Sequence, residues 1–485
     1  MKLLTSEIPP GKPQTRRKTQ KLAPLIVSTF LLTFITLSYP GIIRDSRKIS
    51  EANSQAFESL DQDSITPTST RLDQKNYQPC SSGKIDAPGC NSSVGVEEIQ
   101  ARNPPPNTTV SPPLTTAEHV LVANKTLTEK DQGNCDLFSG EWVPNPEGPY
   151  YTNMTCNAIE EHQNCMKFGR PDLGFLKWRW KPDACELPIF DPHQFLELVR
   201  GKSLAFVGDS VARNHMQSLI CLLSKVVYPV DVSSPTDANK RHEYRAYHFN
   251  ISIFSSPYLV RTVRTEPNDI TRPFNLYLDE YDESWTNQIE DFDYVIISAG
   301  QWFFRPTYFY LNHSLVGCLY CPETNITHFT SSFSYRHAFR TAFRAINTAK
   351  KFKGITYLRT FAPSHFEGAQ WDKGGDCART RPLKRNETLL EDFSSEMYSI
   401  QLEELKIAQE EGRRKNGSKF RLLDATTPML LRPDGHPSKY GHWPVQNVTL
   451  ANDCVHWCLP GPIDSWNDFL QELLKREMEI HRLLT

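Results

Sequence analysis

Four short apolar runs punctuate the second half of the chain: SLAFV at 203–207, YVIIS at 294–298, ITYLRT at 355–360 and FRLLD at 420–424. Each is bounded by Gly, Lys or Asp, and none alternates cleanly with polar residues. That pattern predicts buried parallel strands covered on both faces. Between and after them the apolar positions take up a helical period, predicting helices over 211–223, 335–352, 389–411 and 465–484. Strand and helix in alternation predict an α/β fold, a central parallel sheet flanked by helices, with its chemistry at the carboxyl ends of the strands.

The first half reads differently. Residues 12–21 (KPQTRRKTQK) are basic, and 22–43 (LAPLIVSTFLLTFITLSYPGII) carry no charge. At about 1.5 Å per residue the uncharged run spans a hydrocarbon core of roughly 30 Å. The basic flank before it places 1–21 in the cytosol and everything after residue 44 across the membrane, as a single-pass type II signal anchor over 22–43. The run is longer than a cleaved signal segment, and no small-x-small site follows it. From 44 to 130 the chain is rich in Ser, Thr, Pro and Asn without apolar periodicity, and is expected to form a glycosylated stem. Residues 131–190 turn aromatic and Cys-rich, a compact N-terminal subdomain, and 191–485 hold the α/β domain.

Composition sharpens the compartment. The chain has 485 residues and a net charge of −2, which offers no global field for nucleic acid. Its 12 cysteines form an even set, and the N-x-S/T sequons at Asn91, Asn107, Asn124, Asn153, Asn250, Asn312, Asn325, Asn386, Asn416 and Asn447 all follow the apolar run. Both features suit an oxidising lumen and a disulfide framework. Zinc is the competing reading for the Cys318/Cys321 and Cys454/Cys458 pairs, but no second pair recurs at zinc-ribbon spacing, so no metal is expected.

The candidate chemistry begins where the first strand runs into Gly208-Asp209-Ser210 and then a helix. A serine at that turn stands above the sheet beside free N–H groups of a helix start, the parts of a nucleophile and an oxyanion site. Its base is sought in Asp453-Cys454-Val455-His456, where a carboxylate three residues before an imidazole can fix its tautomer. Asp434 with His436, and His365 after the third strand, are the alternative groups, better suited to structural or acceptor-lining roles. Trp302, Phe303, Trp371 and Trp443 are candidates to stack on sugar, against the plainer reading as core.

The blocks FVGDSVARNHMQSLICLL, DCVHWCLPGPIDSWNDFL and CDLFSGEWVPNPEGPYY, in this arrangement, resemble the plant trichome birefringence-like family of polysaccharide O-acetyltransferases. The resemblance implies a modified SGNH/GDSL-like fold held in the Golgi membrane by one helix, with the catalytic domain luminal. It implies Ser210 as nucleophile, His456 as base and Asp453 as its orienter. It further implies disulfides Cys135–Cys185, Cys156–Cys221, Cys165–Cys458 and Cys377–Cys454, leaving Cys80, Cys90, Cys318 and Cys321 over.

The stretches SAGQWFFRP, HFEGAQWDKGGDCARTRP and HPSKYGHWPVQNVTLANDC look most like the branch that acetylates galactosyl side chains of xyloglucan, with mannan or xylan acetylation as the near rival. The implied partners are a hemicellulose acceptor and an acetyl donor, of which acetyl-CoA is one candidate; no bound cofactor is implied. Ala299-Gly300-Gln301-Trp302 stands where secreted SGNH hydrolases carry G-x-N-D. The oxyanion and substrate candidates are accordingly spread over Gly208, Asp209, Arg213, Asn214, Gly300 and Gln301. An acetylesterase and a non-catalytic polysaccharide-binding protein are the competing functions.

Overall fold

The computed structural model describes residues 135–484, except 235–236, 238, 267–268, 270–271, 391, 416 and 445–450. The tail, the apolar run at 22–43, the stem and the sequons at Asn91, Asn107, Asn124, Asn416 and Asn447 lie outside the described residues. Among the described residues no helix is long and apolar enough to cross a membrane.

Thirteen strands are described. A hairpin of β1 (Gly140–Pro144) and β2 (Trp178–Pro182) belongs to the N-terminal subdomain. The main sheet contains β3 (Ser203–Gly208), β4 (Val230–Asp231), β5 (Lys240–Tyr244), β6 (Phe249–Ser255), β9 (Tyr294–Ser298), β12 (Ile355–Arg359) and β13 (Lys419–Leu423), in the order β13-β12-β9-β3-β6-β5-β4. A smaller sheet runs β11 (Ser314–Leu319), β10 (Thr307–Leu311), β8 (Phe274–Tyr281), β7 (Val260–Arg264). The helices of seven residues or more are α1 (Pro192–Leu198), α2 (Ser210–Leu223), α3 (Ser331–Thr348), α4 (Asp392–Lys415) and α5 (Ser465–Leu484).

The expectation of a purely parallel sheet needs correction. Five strands, β13 through β6, are parallel, but β5 and β4 extend the edge antiparallel, and the smaller sheet is mixed. The parallel strands announce themselves as apolar runs because both their faces are covered. In β3 all six residues are buried, and alternate side chains enter different cores. Leu204 and Phe206 pack with Leu219 and Leu223 of α2 and with Trp466 and Phe469 of α5. Ala205 and Val207 pack with Phe339 and Phe343 of α3 and with Met397 and Ile400 of α4. Burying Phe206 fully is worth about 2–3 kcal/mol, so a polar residue there would break the joint between sheet and α2. In the smaller sheet β8 instead follows a half-exposed alternation, burying Phe274, Leu276 and Leu278 and leaving the residues between them half-buried.

The N-terminal subdomain is built onto the first core. Trp142 Nε1 donates to the Pro428 carbonyl at 2.8 Å, and Tyr151 and Tyr150 donate to Asp464 (2.8 Å) and Asp468 (3.0 Å). Disulfides join Cys135 to Cys185, Cys156 to Cys221, Cys165 to Cys458, Cys377 to Cys454 and Cys318 to Cys321. Of the described sequons, Asn312, Asn325 and Asn386 are exposed, whereas Asn153 and Asn250 are half-buried, Asn250 inside β6.

Candidate active site

The nucleophile's position follows from the end of β3. The strand closes on Gly208, where a Cβ would lie 1.7 Å from the Ser298 carbonyl oxygen, so only glycine admits that approach of β9. Asp209 then caps α2: its Oδ1 accepts from the N–H groups of Val211 (2.9 Å) and Ala212 (3.3 Å), and its Oδ2 from Gly300 N–H (3.0 Å). One buried carboxylate thus ties the helix start to the loop after β9. Ser210, the first residue of α2, is left half-exposed at the carboxyl end of the sheet.

The base sits on a loop with no regular structure of its own. Asp453 and Ser438 exchange backbone hydrogen bonds of 2.8 and 3.1 Å. The Asp453 Oδ1 accepts from Val455 N–H (3.1 Å) and His456 N–H (2.9 Å), so the loop turns tightly around its own carboxylate. The Asp453 Oδ2 accepts from His456 Nδ1 at 2.8 Å, and His456 Nε2 lies 2.7 Å from Ser210 Oγ. With Nδ1 donating to Asp453, Nε2 is the acceptor of the serine proton. Asn214, one turn into α2, takes both backbone groups of Trp457: its Oδ1 accepts from Trp457 N–H (2.8 Å) and its Nδ2 donates to the carbonyl (3.3 Å).

Electrostatics favour a basic imidazole. Burial opposes the charged form of His456, but the charge and hydrogen bond of Asp453, with Asp209 behind them, carry its pKa above the ordinary value; Arg213 works the other way. Burial likewise pushes the Asp453 carboxyl up. His456 and the two backbone N–H groups outweigh it and hold Asp453 well below the usual carboxylate range.

The structure sorts the oxyanion candidates. Asn214 is fully buried and spent on Trp457, and the Gly300 N–H is spent on Asp209. The Gln301 side chain donates to the Ala362 carbonyl (3.2 Å), and Gly208 and Asp209 shape the turn. Asn214 and the Gly300 N–H are thus engaged in holding neighbouring elements, and Gly208 sits at a point of close packing. Asp209 and Arg213 line a cleft of about 1090 Å³ together with Ser210, Arg261, Phe274, Trp302 and Arg344.

Among the aromatic candidates Trp302 is half-buried in that cleft with Arg305 over its ring at 4.1 Å, and Trp371 and Trp443 are exposed. Phe303 is core, 1 % exposed, which corrects its expected place in a sugar-stacking surface. Asp434 pairs with buried Arg432, and His365 and His436 lie behind the loop rather than at Ser210.

One neighbour escaped sequence reasoning. His162 of the N-terminal subdomain stands edge-on to His456 with ring centroids 5.0 Å apart, its own pKa lowered by burial and then by the neighbouring His456. Nothing in its local sequence, EEHQNC, signals that proximity. Metal-ligating groups come together in two places among the described residues: His162 with Asp453 and His456, and Cys318 with Cys321 and His328. Both His456 nitrogens are taken in the first, and both thiols form a disulfide in the second.

A three-layer α/β domain with a serine, histidine and aspartate in hydrogen-bonded series at the carboxyl ends of its strands defines an SGNH-type acyl-transfer protein. Comparison with known proteins agrees. Residues 187–473 match the GDSL/SGNH-like acyl-esterase family found in Pmr5 and Cas1p, and residues 133–186 match the PMR5 N-terminal domain. Protein trichome birefringence-like 19 of Arabidopsis thaliana is 59 % identical over 74 % of this chain and 84 % of its own. Xyloglucan O-acetyltransferase 4 of Populus trichocarpa is 46 % identical over 72 % of this chain and 82 % of its own, and xyloglucan O-acetyltransferase 2 of Arabidopsis thaliana 43 % over 70 % and 83 %. The chain belongs to the trichome birefringence-like family of polysaccharide O-acetyltransferases, and is an acyltransferase.

Proposed function

We propose that this protein transfers acetyl groups to galactosyl side-chain hydroxyls of xyloglucan through an acetyl-serine intermediate. The observation that carries the mechanism is the unbroken series Asp453–His456–Ser210, with contacts of 2.8 and 2.7 Å, opening on a cleft. Xyloglucan is favoured by the similarity to relatives named for that acceptor.

In the first half-reaction His456 Nε2 takes the Ser210 proton as Oγ attacks the acetyl carbonyl, and returns it to the leaving group of the donor. In the second, an acceptor hydroxyl gives its proton to His456 and attacks the serine ester, and Ser210 leaves with that proton. Arg213, which lines the cleft beside Ser210, and the N–H of Ser210 are the groups assigned to the carbonyl oxygen whose charge develops in both steps. Trp302 offers the cleft a partly exposed ring for a sugar face. The reading includes a type II anchor at 22–43 with the catalytic domain in the Golgi lumen, supported by the uncharged run and by the disulfides.

The test offers acetyl-CoA with xyloglucan, mannan and xylan oligosaccharides to the full chain and to Ser210→Ala, read by mass. Acetyl gain on xyloglucan alone, lost at least about 10⁴-fold in the variant, is expected. Gain on mannan or xylan would change the substrate. Donor hydrolysis without acceptor gain would point instead to an esterase.

A further inference from the structure

Behind the catalytic loop a chain of polar contacts passes through two histidines that the triad does not use. His365 Nε2 lies 3.0 Å from the Leu430 carbonyl, His365 Nδ1 lies 2.7 Å from His436 Nε2, and His436 Nδ1 lies 2.7 Å from the carbonyl of His456 itself. Both ends of this chain are carbonyl oxygens, which only accept. His365 Nε2 and His436 Nδ1 must therefore each carry a proton. A neutral imidazole has one proton, so two neutral rings would leave His365 Nδ1 and His436 Nε2 both bare, lone pair against lone pair at 2.7 Å. A third proton between them removes that repulsion and completes every contact.

We propose that His365 and His436 form a buried imidazole–imidazolium pair, three protons on four nitrogens, which grips the carbonyl of His456 and so sets the orientation of the catalytic base. His436 has no exposed surface, and the indole of Trp457 stacks on it, with centroids 4.0 Å apart and planes 29° apart. A π-face at that distance is a favourable neighbour for a delocalised cation. The Trp457 backbone is clamped by Asn214, so the pair and Asn214 hold two consecutive residues, 456 and 457.

The charges around the pair are mixed. Asp434, Asp453 and Glu367 favour the proton, whereas Arg170, which donates to the carbonyls of His436 and Asp434, opposes it along with Arg379. Arg432 and Asp434 largely cancel as a buried pair. Burial drives each ring toward its neutral form, His365 down to about 4 and His436 well below its ordinary value, the latter opposed next by the charge of His365. That repulsion is between two charged rings; one proton shared by two rings never meets it. The positioning role rests on reading His456 as the base, but the proton count does not.

The test labels all histidines of the full chain with ¹⁵N and reads ring nitrogens by long-range proton correlation, assigning the two rings with His365→Asn and His436→Asn. At pH 7 the pair is expected to show three protonated nitrogens, unchanged in Ser210→Ala. His365→Asn is expected to leave His436 a plain neutral Nδ1–H ring and to lower kcat about tenfold or more with little change in KM. Two neutral rings at pH 7, each with a bare nitrogen, would overturn the shared proton. A normal kcat in His365→Asn, with the shared-proton spectrum intact in the parent, would overturn the positioning role. Failure of the triad reading itself would show separately, as an active Ser210→Ala.

Discussion

The two halves of the site are held by different kinds of structure. Ser210 is fixed by regular elements: a fully buried strand delivers it, a capped helix receives it, and Gly208 lets β9 close against the turn. Asp453 and His456 lie on an irregular loop, held by cross-links on every side. Cys454 is bonded to Cys377, Cys458 to Cys165, Trp457 is clamped by Asn214, and the His456 carbonyl is gripped by His436. A nucleophile needs only its hydroxyl exposed, which a strand-to-helix turn supplies cheaply. A base must meet that hydroxyl from outside the sheet, where no ladder of hydrogen bonds is available, so covalent and side-chain ties replace it.

The contrast breaks most severely at the carboxylate. Asp453→Asn keeps the shape of the loop but removes the charge that lifts His456 and leaves the imidazole free to take the wrong tautomer. A fall in kcat of about 10⁴-fold is expected, with any residual activity showing its acid limb at lower pH, because the raised pKa of His456 depends on Asp453. Steady-state rates across pH check both; a loss below tenfold would mean the base is held by something else.

A milder break separates the two halves directly. Cys377→Ser with Cys454→Ser removes one covalent tether of the base loop while leaving β3 and α2 untouched, and is expected to cost about 2–5 kcal/mol of stability together with most of kcat. Cys135→Ser with Cys185→Ser opens a bridge within the N-terminal subdomain, and is expected to lower the melting temperature without a comparable loss of kcat. Thermal unfolding and kcat for the two double variants decide the point. Equal losses of rate would remove the distinction between a self-supporting nucleophile and a tethered base.

The same contrast explains what was legible in the sequence. The strands that carry Ser210 read as apolar runs because burial on both faces leaves no room for polar residues: 294–298 coincides with β9, and 203–207 falls one residue short of β3. The helix expected at 335–352 in fact runs from Ser331 to Thr348; Thr330 stands at its N-cap without a side-chain cap hydrogen bond, and no charged residue marks the first turn. The strands between 230 and 281 and between 307 and 319 went unread; their alternation is short and interrupted, and in β8 only Phe274, Leu276 and Leu278 keep it. At the site, residue types and order pointed to Ser210, Asp453 and His456, whose side chains the fold brings together. Which N–H groups and amides had other partners was invisible, because Gly300 to Asp209 and Asn214 to Trp457 are contacts across 91 and 243 residues. His162 was unreadable for the same reason.

The smallest expected effect sharpens the comparison from the side of the nucleophile. Asp464 accepts from Ser218 of α2 (2.6 Å) and Tyr151 (2.8 Å), and Asp468 from Tyr150 (3.0 Å) and Phe190 N–H (3.1 Å). Burial pushes both carboxyls up to about 7. A carboxyl whose folded-state pKa lies above its unfolded value, near 3.9, binds its proton more tightly in the native protein. Its contribution to stability is therefore complete below about pH 4 and is lost as pH rises through 7. Asp468→Asn mimics the protonated acid: its Nδ2 can donate to the Tyr150 hydroxyl while Oδ1 still accepts from Phe190. The melting temperature of the parent is expected to decline between pH 5 and 8, and Asp468→Asn to recover a few degrees of that decline at pH 8, with Asp464 keeping the rest and kcat unchanged. Parallel curves of melting temperature against pH would place the proton elsewhere, and would leave the joint between the N-terminal subdomain and α5 without the pH sensitivity that its two buried carboxyls imply.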